Sequence, residues 1–339
     1  MNRTSIKPIL KVVFLVLLSP HFLYGNTDAL GQENATWAKS IYFRGFDPTT
    51  KEKLNDKMLT DFAEELKRNR IRFAYLFAGP YQNDGHLPPF VYSETARKSI
   101  LRIRQFYPEV KILPWVGGVQ DRTVHLQNET WISNSIADSV KLVNSMPVDG
   151  IHIDIEYVIF PHAAASTSNI PKYGKNWILF HKKLRDALPG AFISTVVVST
   201  AKDTKPWKLK PSLDAIDDVS AFVNQMSFMY YETNLHELNT YQSNLRDQIQ
   251  QIQTLKDKRG AKSPQYLIGI GTFKTQKKLQ SYRDMRFENI PTTLGVLKKI
   301  LLELSPISQI VDGLAIYCEW MTTENDWNQV RSLWTETSN

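Results

Sequence analysis

Cysteine is almost missing from these 339 residues. The one present, Cys318, leaves no partner for an intrachain disulfide. The fold must therefore rest on a buried core, which a chain of this length can supply. Cys318 lies in the apolar run Leu314-Ala315-Ile316-Tyr317-Cys318, where it reads as a small buried hydrophobe. A run long enough to span a bilayer is also lacking. The apolar stretch Val12 to Leu18 falls short of the roughly 20 residues required, and Pro20 and His21 interrupt its continuation. With Arg3, Lys7 and Lys11 around its start, the stretch reads as the core of a secretory signal, with Gly25 a cleavage point. The expected organisation is a signal peptide over 1–25 and one domain over 26–339, placed outside the cell, in the periplasm or in the envelope. An uncleaved anchor is the alternative; after cleavage no stable membrane span is expected.

Neither sign of charge dominates. The formal +7 includes Arg3, Lys7 and Lys11 with no acid before Gly25, leaving about four positive charges spread without a basic block. No nucleic-acid partner is implied. A phosphate-binding glycine loop, paired histidine ligands at helical spacing and a G-x-S-x-G elbow are all missing, and Gly269-Ile270-Gly271 is too short for a dinucleotide fingerprint. Neither metal nor cofactor is expected, and the chain is expected to be a monomer. The sequons at Asn34 and Asn128 would matter only in a eukaryotic secretory pathway.

What the chain does have is alternation. Short apolar or β-branched runs recur between stretches of helical periodicity, as expected of a parallel sheet wrapped by helices. The expected strands are Ile41 to Phe43, Phe73 to Phe77, Lys111 to Val116, Gly150 to Ile155, Phe192 to Val198, Phe222 to Met229, Tyr266 to Ile270 and Leu314 to Cys318. Helix stripes fall on Met58, Leu59, Phe62 and Leu66, on Ile132, Ile136, Val140 and Val143, and on Leu297, Ile300, Leu301 and Leu304. A polar helix is expected from about His236 to Lys256, and a long loop over Phe160 to Lys172. The fold class is α/β, a single-domain (β/α)8 TIM barrel.

One segment carries chemistry: Asp149-Gly150-Ile151-His152-Ile153-Asp154-Ile155-Glu156-Tyr157. A strand sends alternate side chains to opposite faces, so the isoleucines face the helices while His152, Asp154 and Glu156 point into the barrel, Glu156 nearest its carboxyl end. Polar groups in such an interior are costly to desolvate without a partner, a wet mouth or a function. A half-buried strand with a solvated polar face is the alternative, but acids at the carboxyl end of a barrel strand read as active-site residues.

The segment resembles the strand-four signature D-x-x-D-x-D-x-E, followed by Tyr, of glycoside hydrolase family 18. Asp149, Asp154, Glu156 and Tyr157 match, and His152 stands where the family has Asp. Trp115-Val116-Gly117-Gly118 resembles the family's S-x-G-G, with Trp115 for Ser. Asn224-Gln225-Met226-Ser227-Phe228-Met229 resembles its N-x-M-x-Y-D, with Phe228 and Met229 at the Tyr-Asp positions. Tyr317 takes the place of the family's strand-eight Trp, and Trp320 follows three residues on. The resemblance implies substrate-assisted hydrolysis of β-linked N-acetylglucosamine glycans, with the sugar's acetamido oxygen as nucleophile. Glu156 would be the proton donor, Asp154 would orient the acetamido group, and Tyr230 would supply a hydroxyl from a position shifted toward the mouth. His152 would donate to Asp154, and Asp149, Tyr157, Trp115, Tyr317, Trp320 and Glu319 would line the sugar site. Glu319 and Arg44, both expected at strand ends, would either form a salt bridge or touch the ligand. The competing expectation is a barrel that binds glycans without cleaving them, motivated by His152, Phe228 and Met229; a weaker third is an envelope- or spore-associated protein that keeps its signal as an anchor.

Overall fold

The computed structural model describes residues 33–119, 122–156, 170–199, 211–274, 282–304 and 310–335; for Val119, Glu156 and 170–173 it describes the backbone alone. The expected signal over 1–25, Tyr157, and residues 160–169 of the expected loop lie outside these residues. Eight parallel strands close into a barrel in sequence order: β1 (Ala35–Ala38), β2 (Phe73–Pro80), β3 (Lys111–Val119), β4 (Gly150–Glu156), β5 (Phe192–Val198), β6 (Gln225–Met229), β7 (Gln265–Gly271) and β8 (Gly313–Tyr317). Around them run α1 (Ser40–Arg44), α2 (Asp56–Arg68), α3 (Glu94–Phe106), α4 (Glu129–Ser145), α5 (Ile170–Ala187), α6 (Leu213–Ser220), α7 (Leu238–Arg259), α8 (Ile290–Leu304) and α9 (Glu324–Val330).

The period of two divides the apolar residues into two cores. Between wall and helices lie Ile151, Ile153, Met226, Phe228, Ile268 and their neighbours; inside the barrel lie Trp37, Tyr75, Leu113, Val196, Met229 and Leu267. Caps set the helix starts: Asn55 accepts from the Met58 amide, Ser93 from that of Ala96, and Asn128 from those of Thr130 and Trp131. The stripe on α4 is turned from the expected one. Trp131, Ser135 and Ser139 face inward, because Ser139 bonds the Tyr81 hydroxyl at 2.7 Å, while Ile136, Val140 and Val143 are only partly buried.

The first strand differs from expectation. Ile41 to Phe43 belongs to α1, and β1 is the less conspicuous Ala35-Thr36-Trp37-Ala38. Tertiary packing overrides strand propensity here: Tyr42 stacks on Phe62 of α2 at 3.7 Å, Phe43 is buried, and Gly45 ends the turn in the left-handed region. A Cβ on Gly45 would lie 2.8 Å from the Thr95 carbonyl oxygen, so α1 docks on α3 only with glycine there. Arg44 consequently lies on a helix, its guanidinium 3.7 Å from the Phe90 ring centre, and not at a strand end.

At the amino ends of the strands a repeated device closes the barrel. The residue just before a strand accepts a hydrogen bond from a backbone amide at the start of the preceding strand. Asn34 accepts from Leu314, Asp149 from Ile112, Asn224 from Ile193 and Asp312 from Tyr266, at 2.8 to 3.0 Å. These bonds satisfy strand ends that would otherwise be orphaned. Asn34 is buried in this role, which leaves no access for the glycan its sequon would carry.

Candidate active site

The inward row of β4 places His152 and then Asp154 toward the carboxyl end, with Glu156 the last residue of the strand, at the face on which barrels of this type build their sites. His152 is fully buried, and burial pushes its imidazole pKa well below the ordinary 6.5. The indole N–H of Trp37 donates to its Nε2 at 3.0 Å, so the ring proton sits on Nδ1 and is donated to Ser194 Oγ at 2.8 Å. Ser194 donates to Gln225 Oε1 at 2.9 Å, Tyr75 donates to the same oxygen, and Gln225 Nε2 donates to Gln265. The His152 ring also stacks on Tyr75 at 3.7 Å. The deep interior is thus a neutral, internally bonded network. The expected donation from His152 to Asp154 is not made, and His152 lies beneath the site, out of reach of a sugar, because both ring nitrogens are already used.

Asp154 is held from β3 instead. The indole N–H of Trp115 donates to Asp154 Oδ2 at 2.7 Å. The two strands approach closely here: Gly117 is the register partner of Asp154, and a Cβ on it would lie 1.9 Å from the Asp154 carbonyl oxygen. That is the physical reason for the first glycine of Gly117-Gly118.

Around this carboxylate the strand ends present rings. Tyr317 stands 6.4 Å from Trp115, lies nearly parallel to Tyr231 at 5.2 Å, and meets Trp320 edge-on at 5.8 Å. Trp37 and Phe273 also contact Tyr317 edge-on, at 5.9 and 5.8 Å. Tyr317, Trp115 and Trp320 are partly exposed, as a stacking surface for a pyranose requires.

Three expected site residues sit elsewhere. Asp149 lies at the opposite end of β4, bound to Arg104 and to Lys111 as well as to the Ile112 amide. Tyr230 faces the helices: its hydroxyl donates to the Tyr241 carbonyl at 2.9 Å and meets Asn244, and burial drives its pKa far up. The parity assigned from Phe228 is the outward one. Glu319 is turned toward α1 and α2, where the Tyr42 hydroxyl reaches it at 3.4 Å. Burial pushes its carboxyl up to about 7, with Glu65 adding to the rise and Lys39 opposing it.

Tyr231, which packs against the inner core beside Trp115 and Tyr317, was not anticipated. Its signal was present. Met229-Tyr230-Tyr231-Glu232 repeats the Met-x-Tyr-acid order three residues after Met226, and only the strand's inward parity decides between the two registers. Trp37 was missed with its strand. Among the described residues, no group of three or more His, Cys, Asp or Glu is placed to hold a metal ion, and no helix is long and apolar enough to cross a membrane.

The sequence pattern of Glycosyl hydrolases family 18 matches residues 57–337, most of the chain. The chain belongs to that family. Among curated proteins none matches. Solved structures resemble it in fold: the Bacillus megaterium QM B1551 spore cortex-lytic enzyme SleL, at 13% identity and TM-score 0.57, covers 91% of this chain and 75% of its own. The Chromobacterium violaceum ATCC 12472 chitinase, at 13% and 0.56, covers 90% and 99%. The Ostrinia furnacalis Group IV chitinase, at 10% and 0.59, likewise covers 90% and 99%. As a family 18 member the chain is a glycoside hydrolase by lineage, and His152, Trp115 and Tyr317 mark its divergence.

Proposed function

We propose that this family 18 chain hydrolyses β-linked N-acetylglucosamine glycans with retention, using the substrate's acetamido group as nucleophile. The acetamido carbonyl oxygen attacks the anomeric carbon as the glycosidic C–O bond breaks, and Glu156 gives its proton to the departing oxygen. Water then adds at the anomeric carbon as the bond from the acetamido oxygen to that carbon breaks, and gives a proton back to Glu156. Asp154 accepts the acetamido N–H, and the Tyr231 hydroxyl takes the role first expected of Tyr230. Tyr317 and Trp320 offer faces to the sugar. The observation that carries this reading is the Asp154 carboxylate bonded by Trp115 at the barrel mouth, two residues before Glu156, the last residue of β4. We further infer that the chain acts after export, as a monomer.

The neutral network around His152 favours a second reading, a glycan-binding barrel with weak or no turnover. A fluorogenic N,N′-diacetylchitobioside, scanned over pH with the wild type and Glu156→Gln, separates the two. Turnover by the wild type alone supports hydrolysis. Saturable binding of chitooligosaccharides with no turnover supports the binding reading.

A further inference from the structure

The carboxylate that would orient the acetamido group has no acid beneath it, and the histidine there is spent on Trp37 and Ser194. Its register partner across β3 is Gly117, which has no side chain to offer. Trp115, two residues earlier on the same inward face, reaches over with its indole N–H. The direction of that N–H is fixed by packing: the Trp115 ring meets Phe77 edge-on at 4.6 Å and Tyr317 at 6.4 Å. We propose that Trp115 is the positioning residue for Asp154, pinning the carboxylate to the β3 side in the orientation that accepts the acetamido N–H.

This rests on the hydrolytic reading and gives it a specific anchor. A charge-assisted bond to a ring locked between two others restricts the carboxylate more than a mobile donor would. An indole N–H also exchanges no proton in the ordinary pH range, so Asp154 is held as an acceptor throughout the cycle. Trp115 acts through Asp154 in this role.

The test uses the full chain and the fluorogenic N,N′-diacetylchitobioside. Trp115→Phe keeps a ring and removes the N–H; kcat is expected to fall by about tenfold or more with KM within about twofold. In an Asp154→Asn background the same change is expected to add less than about twofold. Trp115→His, which restores a ring N–H, is expected to recover turnover relative to Trp115→Phe, and thermal melts confirm that folded proteins are compared. Where the Phe variant does not fold, Trp115→Leu replaces it in the comparison with Trp115→His. An active wild type with an unchanged kcat in Trp115→Phe, a loss that adds fully to that of Asp154→Asn, or a His variant no better than Phe or Leu overturns the positioning role alone. A wild type without turnover overturns the hydrolytic reading and this role with it.

Discussion

The two ends of β4 carry the same residue type under opposite conditions. Asp149, at the amino end, is saturated by Arg104, Lys111 and a backbone amide. Asp154, about 16 Å further along at ~3.3 Å per residue, accepts a bond from a neutral indole. The contrast extends around the barrel. Asp312 at the amino end is paired with Lys256 at 2.9 Å. Glu319 at the carboxyl end is nine-tenths buried with no ion pair among the described residues. Acids at the closed end are consumed in mutual saturation with amides and cations, which stabilises the barrel. At the open end a neutral indole donates to Asp154, and the burial of Glu319 costs stability.

The largest expected effect breaks the open end. Asp154→Asn should lower kcat on the diacetylchitobioside by about a hundredfold or more, equivalent to ~3 kcal/mol of barrier, with little movement of the thermal midpoint. Tyr231→Phe should approach the same loss, since it removes one preorganised donor. Unaltered turnover in both would leave the mouth without a catalytic role.

Glu319 sharpens the comparison through pH. Its folded-state pKa of about 7 lies above its ordinary 4.5. The protein is therefore least penalised below pH 4.5, where the carboxyl is protonated in both states, and loses stability as pH rises through 7. The full penalty is about 3 kcal/mol. Glu319→Gln should be more stable than the wild type by up to that amount at pH 8, and the gap should close near pH 4.5, as read by denaturant melts. A gap that does not change with pH would mean that Glu319 titrates as if in water.

At the closed end, Asp149→Ala should cost about 2 kcal/mol by stripping a charge-assisted bond from the β3 amide and one charge from Arg104, visible as a drop of several degrees in thermal midpoint. Turnover per folded molecule should hold. Full folding with lost activity would erase the distinction between the two ends.

Much of this was legible in sequence because period two is a strong signal where isoleucine alternates with polar residues. Residues 150–155 read correctly as a strand with His152 and Asp154 inward, the strand running one residue further to Glu156. β1 was illegible because Ala-Thr-Trp-Ala is short and mild, whereas Ile-Tyr-Phe beside it has strong strand propensity and is claimed by helix packing. Asp149 matched a motif position, but a motif does not say which end of the barrel a residue occupies. His152 was read by its neighbour in sequence, Asp154, although successive inward residues on one strand stand about 6.6 Å apart and partners from other strands are nearer. Register on β6 failed for a related reason: two Met-led patterns overlap, and only the inward parity of Gln225, Ser227 and Met229 selects the second.

That overlap yields the smallest prediction. Tyr230 and Tyr231 are adjacent and chemically identical, yet one hydroxyl is spent inside the helical layer on Tyr241 and Asn244 while the other ring lies against Tyr317 at the mouth. Tyr230→Phe deletes a buried donor and leaves the Tyr241 carbonyl short of one bond, so about 1 kcal/mol of stability should be lost. The phenyl ring keeps the packing on Tyr241 at 5.3 Å, so no cavity term is added. kcat and KM on the fluorogenic disaccharide should remain at wild-type values. A catalytic loss in Tyr230→Phe with none in Tyr231→Phe would reverse the β6 register and return Tyr230 to the site.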